Sequence, residues 1–482
     1  MSDGRRQKRQ SSDLLSRREF VKLGGSAVAI MSGGVLTNKD AGARRARQPK
    51  PKNILIIITD QQHIDTIAAG GCHHVRTPAL DRLTKRSVSF AQSYTPNPLC
   101  SPARSAVLTG RTSSECGVHV NGRSIRSDIP NLGQWFSEQT DYETFYAGKW
   151  HLPRTYTGNI PGFKVINTGI GGFGYLCDTV MSRACQGFLR NWSKRKPFLL
   201  VASFMQPHDI CEWLRLNMEN PGRLRYPELA GELPELPDNF QFDENEPEAI
   251  RRRRAGNEPF RGKAKWNKEH WRYYRWSYYR NIEHLDAEIG RILQALEDRG
   301  HTNDTLVVLT SDHGEGMAHH QMVRKSSFYD EAVKVPLLFA WPGHISENRT
   351  DTTHLVSGLD IMPTLCDFAG IRAPANMRGV SLRAALEGNG GLTRDFIVSE
   401  VSSNTGRMVR TQGYKYITYR KDPVEQLFDM KNDPGETKNL ATSSQHASTL
   451  AEHEKLLKHW ERRLDVAPKV PNTDAWWYLE RS

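Results

Sequence analysis

Beyond its first fifty residues the sequence has no apolar run approaching the roughly twenty residues a membrane-spanning helix needs, which argues against an integral membrane protein. Internal repeats and long low-complexity tracts are also missing, so solenoid and disordered architectures fall away. Cysteine is sparse, with seven in 482 residues at positions 72, 100, 116, 177, 185, 211 and 366. If Cys100 has a chemical task, the other six could pair or stay free. The body of the chain also has little excess charge. Of the net +12, residues 1–50 carry 12 Lys/Arg against 4 Asp/Glu, which leaves +4 for residues 51–482 and argues against a nucleic-acid partner.

What is present fits a globular protein with 38% hydrophobic and 25% charged residues, long enough for a main domain and an appendage. The start has its own logic. Ser16-Arg17-Arg18-Glu19-Phe20-Val21-Lys22 matches the twin-arginine export pattern and precedes an uncharged, Gly- and Ala-rich stretch from Leu23 to Asn38. Ala41-Gly42-Ala43 supplies a small-residue cleavage site, so residues 1–43 read as a signal peptide and 44–52 as a linker. This predicts a periplasmic or secreted protein, dependent on the twin-arginine export machinery and not membrane-bound after processing. Such substrates fold in the reducing cytoplasm, which argues against an obligatory disulfide framework.

Ile54-Leu55-Ile56-Ile57-Ile58 is an unbroken apolar run suited to a strand buried on both faces of a parallel sheet. Thr305 to Thr310 is a second, following a helix with Ile282, Leu285, Ile289, Ile292, Leu293 and Leu296 at helical spacing and Gly300 at its end. Phe198 to Ala202 and Val335 to Phe339 read as further strands, so the fold class is α/β. From about 395, Met408-Val409-Arg410 and Tyr414 to Tyr419 alternate as in a small antiparallel sheet, with a final helix over about 448–464. The catalytic domain is placed at 53–390 and a C-terminal subdomain at 391–482. Residues 212–275 read as an insertion or lid containing Arg251 to Arg254 and the aromatic-rich Trp266 to Tyr279. That segment has two readings: a solvated charge run beside a helix packed by aromatics, or a wall that grips an anionic glycan.

The chemistry-bearing residues follow the strands. Asp60 and Gln61 come after the first, Asp312 and His313 after the second, and open α/β sheets place their sites at the carboxyl ends of strands. Two carboxylates, an amide oxygen and an imidazole could share one divalent cation. The oxygen-rich set favours Ca2+, while the imidazole leaves room for Mn2+ or Mg2+. Cys100-Ser101-Pro102-Ala103-Arg104 continues to Leu108, Gly110 and Arg111, with Pro102 suited to the first turn of a helix and Gly110 to its end. Cys100 then sits at a helix N-terminus, with Arg104 one turn along.

With these motifs the sequence resembles the type I sulfatase family of the alkaline phosphatase superfamily over roughly residues 52–445. Thr77 to Leu83, Gly148-Lys149-Trp150-His151-Leu152, Gln206-Pro207-His208, Lys325, and Leu427 to Leu440 fall in the family's order. The resemblance implies an alkaline-phosphatase-like architecture: a large mixed, mostly parallel sheet flanked by helices, plus a small C-terminal antiparallel sheet with a helix. It further implies a sulfuric ester hydrolase acting on a sulfated saccharide or other sulfate ester. Cys100 would be converted by a maturation enzyme to formylglycine, whose hydrated aldehyde displaces the alcohol from sulfur and then expels sulfate by re-forming the aldehyde. In that scheme Arg104 and Lys149 hold the nucleophile and the sulfate oxygens. His151 is the base, and His208 and Lys325 face the leaving oxygen. Asp60, Gln61, Asp312, His313 and the side chain at position 100 would ligate the metal.

Two departures matter, because Gln61 and His313 stand where many sulfatases have Asp and Asn. The pair also occurs in phosphonate monoester and phosphodiester hydrolases of the superfamily, which makes that activity the alternative. A noncatalytic anion binder would be expected to have lost one of these groups, and none is missing.

Overall fold

A computed structural model describes residues 49–152, 159–167, 173–193, 195–218, 227–255, 266–392, 394–401 and 405–468. The export motif, its apolar stretch and the cleavage site lie outside the described residues, as do 219–226 and 256–265 of the insertion.

The apolar run becomes the strand Asn53–Asp60, and all eight of its residues are buried. Strand side chains alternate between faces, so a run without polar residues requires cover on both sides. That cover is present. Leu55 and Ile57 pack with Met181, Cys185 and Leu189 of the helix Gly174–Asn191 and with Ile282, Leu285 and Ile289 of the helix Lys268–Asp298. Ile54, Ile56 and Ile58 pack on the opposite side with Phe136, Val107, Met362 and Leu365.

This strand is central in an eight-stranded sheet. The order is Lys164–Asn167, Glu143–Gly148, Phe198–Pro207, Asn53–Asp60, Thr305–Ser311, Leu337–Ala340, Val88–Phe90 and Arg349–Asp351. The first five are parallel to one another, whereas Leu337–Ala340 runs antiparallel to both of its neighbours. The sheet is therefore mixed and mostly parallel, as expected. Four adjacent parallel strands end at one edge, in register: Gly148 pairs with Ser203, Ile58 with Ser203, and Thr59 with Ser311. The residues just beyond them, Lys149, Asp60 and Asp312 among them, are thereby delivered to one crevice.

The small C-terminal sheet has four antiparallel strands, Phe396–Val401, Gly406–Thr411, Tyr414–Tyr419 and Gln426–Asp429. Its alternation sorts residues as the period of two demands. Val398, Val409, Tyr416 and Leu427 meet Leu457 of the helix Ala447–Glu461, while Ile397, Met408, Ile417 and Phe428 meet Tyr94, Phe328 and Val333 of the main body.

The aromatic-rich segment forms the start of the 31-residue helix Lys268–Asp298, capped by the Asn267 side chain on the His270 N–H. Trp266, Trp271, Tyr274, Tyr278 and Tyr279 are buried in the core. The packed-helix reading describes them, and the glycan-wall reading does not. Three of the four arginines are answered locally: Arg251 and Arg252 pair with Glu248, and Arg254 pairs with Glu246 and lies over the Phe242 ring, while Arg253 donates to the Lys325 carbonyl at 3.2 Å. All seven cysteines are free thiols.

Candidate active site

The helix Cys100–Thr109 is buried along its whole length and starts from the extended residue Leu99. It ends at Gly110, whose φ of 66° suits glycine as a left-handed cap. This places the Cys100 sulfur at the helix N-terminus beside the two strand-end pairs. One ligand atom each from Asp60, Cys100, Asp312 and His313 lies within 4.8 Å of the others, and all four residues are buried.

Arg104 organises the carboxylates. Its guanidinium is 1% exposed and donates to Asp312 through Nε at 2.9 Å and to Asp60 through Nη2 at 3.0 Å. Nη1 donates to the Lys149 carbonyl at 2.9 Å and to the Ser203 hydroxyl at 2.6 Å. Two acidic side chains in a dry crevice repel each other, and a shared buried cation is what holds them there. Lys149 adds a second, with Nζ 2.5 Å from Asp60 Oδ2. The approach of the Lys149 strand depends on Gly148, at φ 90°, where a Cβ would lie 1.9 Å from the Ser203 carbonyl oxygen.

The remaining ligand candidates are oriented by their own partners. Asp312 Oδ1 accepts the Gln61 N–H at 3.0 Å and the His313 N–H at 2.8 Å. His313 Nδ1 donates to the Gly314 carbonyl at 2.9 Å, which leaves Nε2 aimed into the cluster, 3.2 Å from Cys100 Sγ. Lys325 Nζ lies 2.8 Å from Gln61 Oε1 and 2.9 Å from Cys100 Sγ. Gln61 and His151 both adopt left-handed backbone, at φ 70° and 58°, which turns the chain sharply out of the strand ends.

The electrostatics separate His151 and His208 from Lys325. Burial, reinforced by Lys149, holds the His151 pKa below its ordinary value. Burial with Lys149 and Lys325 holds His208 well below its own. For Lys325, burial opposes the charge, but the negative charges at Cys100 and Asp60 outweigh it and raise the pKa. Two neutral imidazoles therefore share the pocket with a fixed ammonium.

Direct contacts thus bring together Asp60, Gln61, Cys100, Arg104, Lys149, Asp312, His313 and Lys325, and the buried His151 and His208 lie close enough to feel the charge of Lys149. Reading the sequence missed the partners behind them. Ser203 carried no signal in a buried strand. Glu315, two residues after His313, accepts from the Gln61 amide, the Tyr274 hydroxyl and the Arg324 N–H. Its place beside Asp312-His313-Gly314 was the only available clue.

Comparison with known proteins identifies the family. The model of the family described as Sulfatase matches residues 52–371, and that described as N-sulphoglucosamine sulphohydrolase, C-terminal, matches residues 318–463. The Delta 4,5-hexuronate-2-O-sulfatase of Bacteroides thetaiotaomicron is 35% identical over 450 residues, spanning 88% of this chain and 91% of that protein. A solved structure described as BT1596, a 2-O GAG sulfatase, superposes with a TM-score of 0.77 at 32% identity, covering 87% of this chain and 95% of that one. The phosphonate monoester hydrolase of Agrobacterium radiobacter, at 23% identity and a TM-score of 0.71 over 86% of this chain and 96% of that one, shares the fold. The chain belongs to the sulfatase family. It is a sulfuric ester hydrolase.

Proposed function

We propose that this enzyme removes sulfate from a sulfated saccharide, using formylglycine made from Cys100 and a divalent cation held by Asp60, Gln61, Asp312 and His313. The saccharide class follows from the relatives, whose names specify a hexuronate 2-O-sulfate and a 2-O GAG sulfate. One observation carries the mechanism: four potential ligand atoms, the Cys100 sulfur among them, crowd within 4.8 Å while cationic side chains surround them.

The donor set fits a cation. Asp60 Oδ1 is buried and has no hydrogen-bond partner, an expensive state for a carboxylate oxygen unless an ion meets it. Oxygen donors in the majority favour Ca2+, with Mn2+ or Mg2+ accommodated by the imidazole. Such an ion would make an oxygen bound to it more acidic, and formylglycine would supply that oxygen in place of sulfur.

The protein's own groups then have defined tasks. His151, neutral through burial, is able to take a proton beside position 100. Lys149 and Lys325 place positive charge where the sulfate oxygens gather negative charge. Lys325 remains an ammonium, and neutral His208 donates an N–H, so both serve the leaving oxygen as the S–O bond breaks. Arg104 works through Asp60 and Asp312, to which it is bonded. Maturation requires a formylglycine-generating enzyme, and residues 1–43 direct twin-arginine export to the periplasm or beyond.

Mass spectrometry of the tryptic peptide containing position 100, from active protein co-produced with a maturation enzyme, tests the nucleophile. The aldehyde is expected, and active protein containing only unmodified cysteine refutes the mechanism. A sulfate-release screen over defined sulfated saccharides tests the substrate, with a 2-O-sulfated uronide expected among those cleaved.

A further inference from the structure

We infer that Glu315 is a positioning residue for Gln61, holding the amide so that its oxygen faces the cation site; the inference rests on the metal reading above. A carboxylate at position 61 would present an oxygen whichever way it turned. An amide has two opposite ends, and its NH2 group pointed at a cation repels it. A glutamine ligand therefore needs an external device that decides which end points inward.

Glu315 is that device. It is fully buried, and a carboxylate only accepts, so the end of Gln61 that meets it has to be the NH2. The carboxylate is itself immobilised, because its other oxygen accepts from the Tyr274 hydroxyl and the Arg324 N–H. From the opposite side Lys325 Nζ, which only donates, lies 2.8 Å from Gln61 Oε1. The backbone of Gln61 is pinned as well, through its N–H to Asp312 Oδ1 at 3.0 Å and its carbonyl to the Tyr278 hydroxyl at 2.6 Å. The result is a closed ring of contacts from Gln61 to Glu315, to the Arg324 N–H, and through the adjacent Lys325 back to Gln61. A negative charge missing from position 61 thus stands one layer behind it, where it polarises the amide toward the cation. Outer partners of metal ligands tune affinity in this manner, typically by about 10- to 100-fold.

Calorimetric titration of metal-free protein with Ca2+, and in parallel with Mn2+, tests the assignment. Glu315→Gln is expected to weaken the Kd by about 10- to 100-fold with the melting temperature of the metal-free protein preserved. In a Gln61→Asp background the sign reverses, since the introduced aspartate and Glu315 would then be two carboxylates facing each other across the space the amide now fills. There Glu315→Gln is expected to tighten binding. An unchanged Kd, or the same direction in both backgrounds, overturns the positioning role while leaving the metal reading intact. A wild-type protein that binds neither ion refutes the metal reading and the proposal with it. Should Glu315→Gln alone fail to fold, comparing Gln61→Asp with the double variant still decides.

Discussion

The Lys325 ammonium lies 2.9 Å from the Cys100 sulfur, a contact made across 225 positions of sequence. In the proposed mechanism it brings a positive charge to the side of position 100, where a departing alkoxide would otherwise carry its full charge into a buried pocket. Lys325→Met is therefore expected to lower kcat by about 100- to 1,000-fold, the range seen when one preorganised donor is removed. The loss should be smaller for an aryl sulfate, whose phenolate leaves readily, than for a sugar sulfate. Steady-state kinetics on both substrates check this, and equal losses would remove Lys325 from the leaving-group side.

Arg104 bridges Asp60 and Asp312 while almost wholly excluded from water. Removing one partner of a buried ion network leaves uncompensated charge, at a cost of about 3–5 kcal/mol. Arg104→Met should lower the unfolding free energy by that order in metal-free protein, and added Ca2+ should recover part of it by screening the two carboxylates. Denaturant titrations with and without Ca2+ read both effects.

His63 is buried, and burial pushes its pKa down to about 4. In the unfolded chain the same imidazole titrates near 6.5, so between pH 6.5 and 4 the unfolded state takes up a proton that the folded state refuses. Stability is fully present above about pH 6.5 and falls as the pH drops toward about 4, by at most about 1.4 kcal/mol per pH unit from this group. His63→Gln should show a shallower acid loss in melting temperature over that window than the wild type. Parallel slopes would assign the acid sensitivity elsewhere.

Gln61 and His313 leave the donor set one negative charge poorer than a third carboxylate would, and such a site has to be assayed against phosphorus esters. Aryl sulfate is expected to give the higher kcat/KM over an aryl phosphonate monoester, with Ca2+ and with Mn2+ alike. A reversed order would make the phosphonate activity primary.

Much of this architecture was legible because its signals are local. Ile54 to Ile58 carries no polar residue and is rich in β-branched side chains, which suits a strand covered on both faces, and that is where the strand Asn53–Asp60 lies. The alternation of Met408, Val409 and Tyr416, Ile417 sorts the C-terminal sheet into two faces without reference to any other part of the chain. The helix Cys100–Thr109 announces its own end at Gly110.

Residue order alone also singled out the side chains of the candidate site, since an Asp-Gln pair, an Asp-His pair and a cysteine at a helix start each follow a recognisable local element. Only the tertiary structure decided what each of them does. That Arg104 spends its donors on Asp60 and Asp312, that Glu315 stands behind Gln61, and that Trp271 and Tyr274 pack inward are decided by neighbours up to 254 positions away. Strand and helix periods are properties of a few consecutive residues, whereas the direction of a hydrogen bond is chosen by whichever distant group folding brings against it.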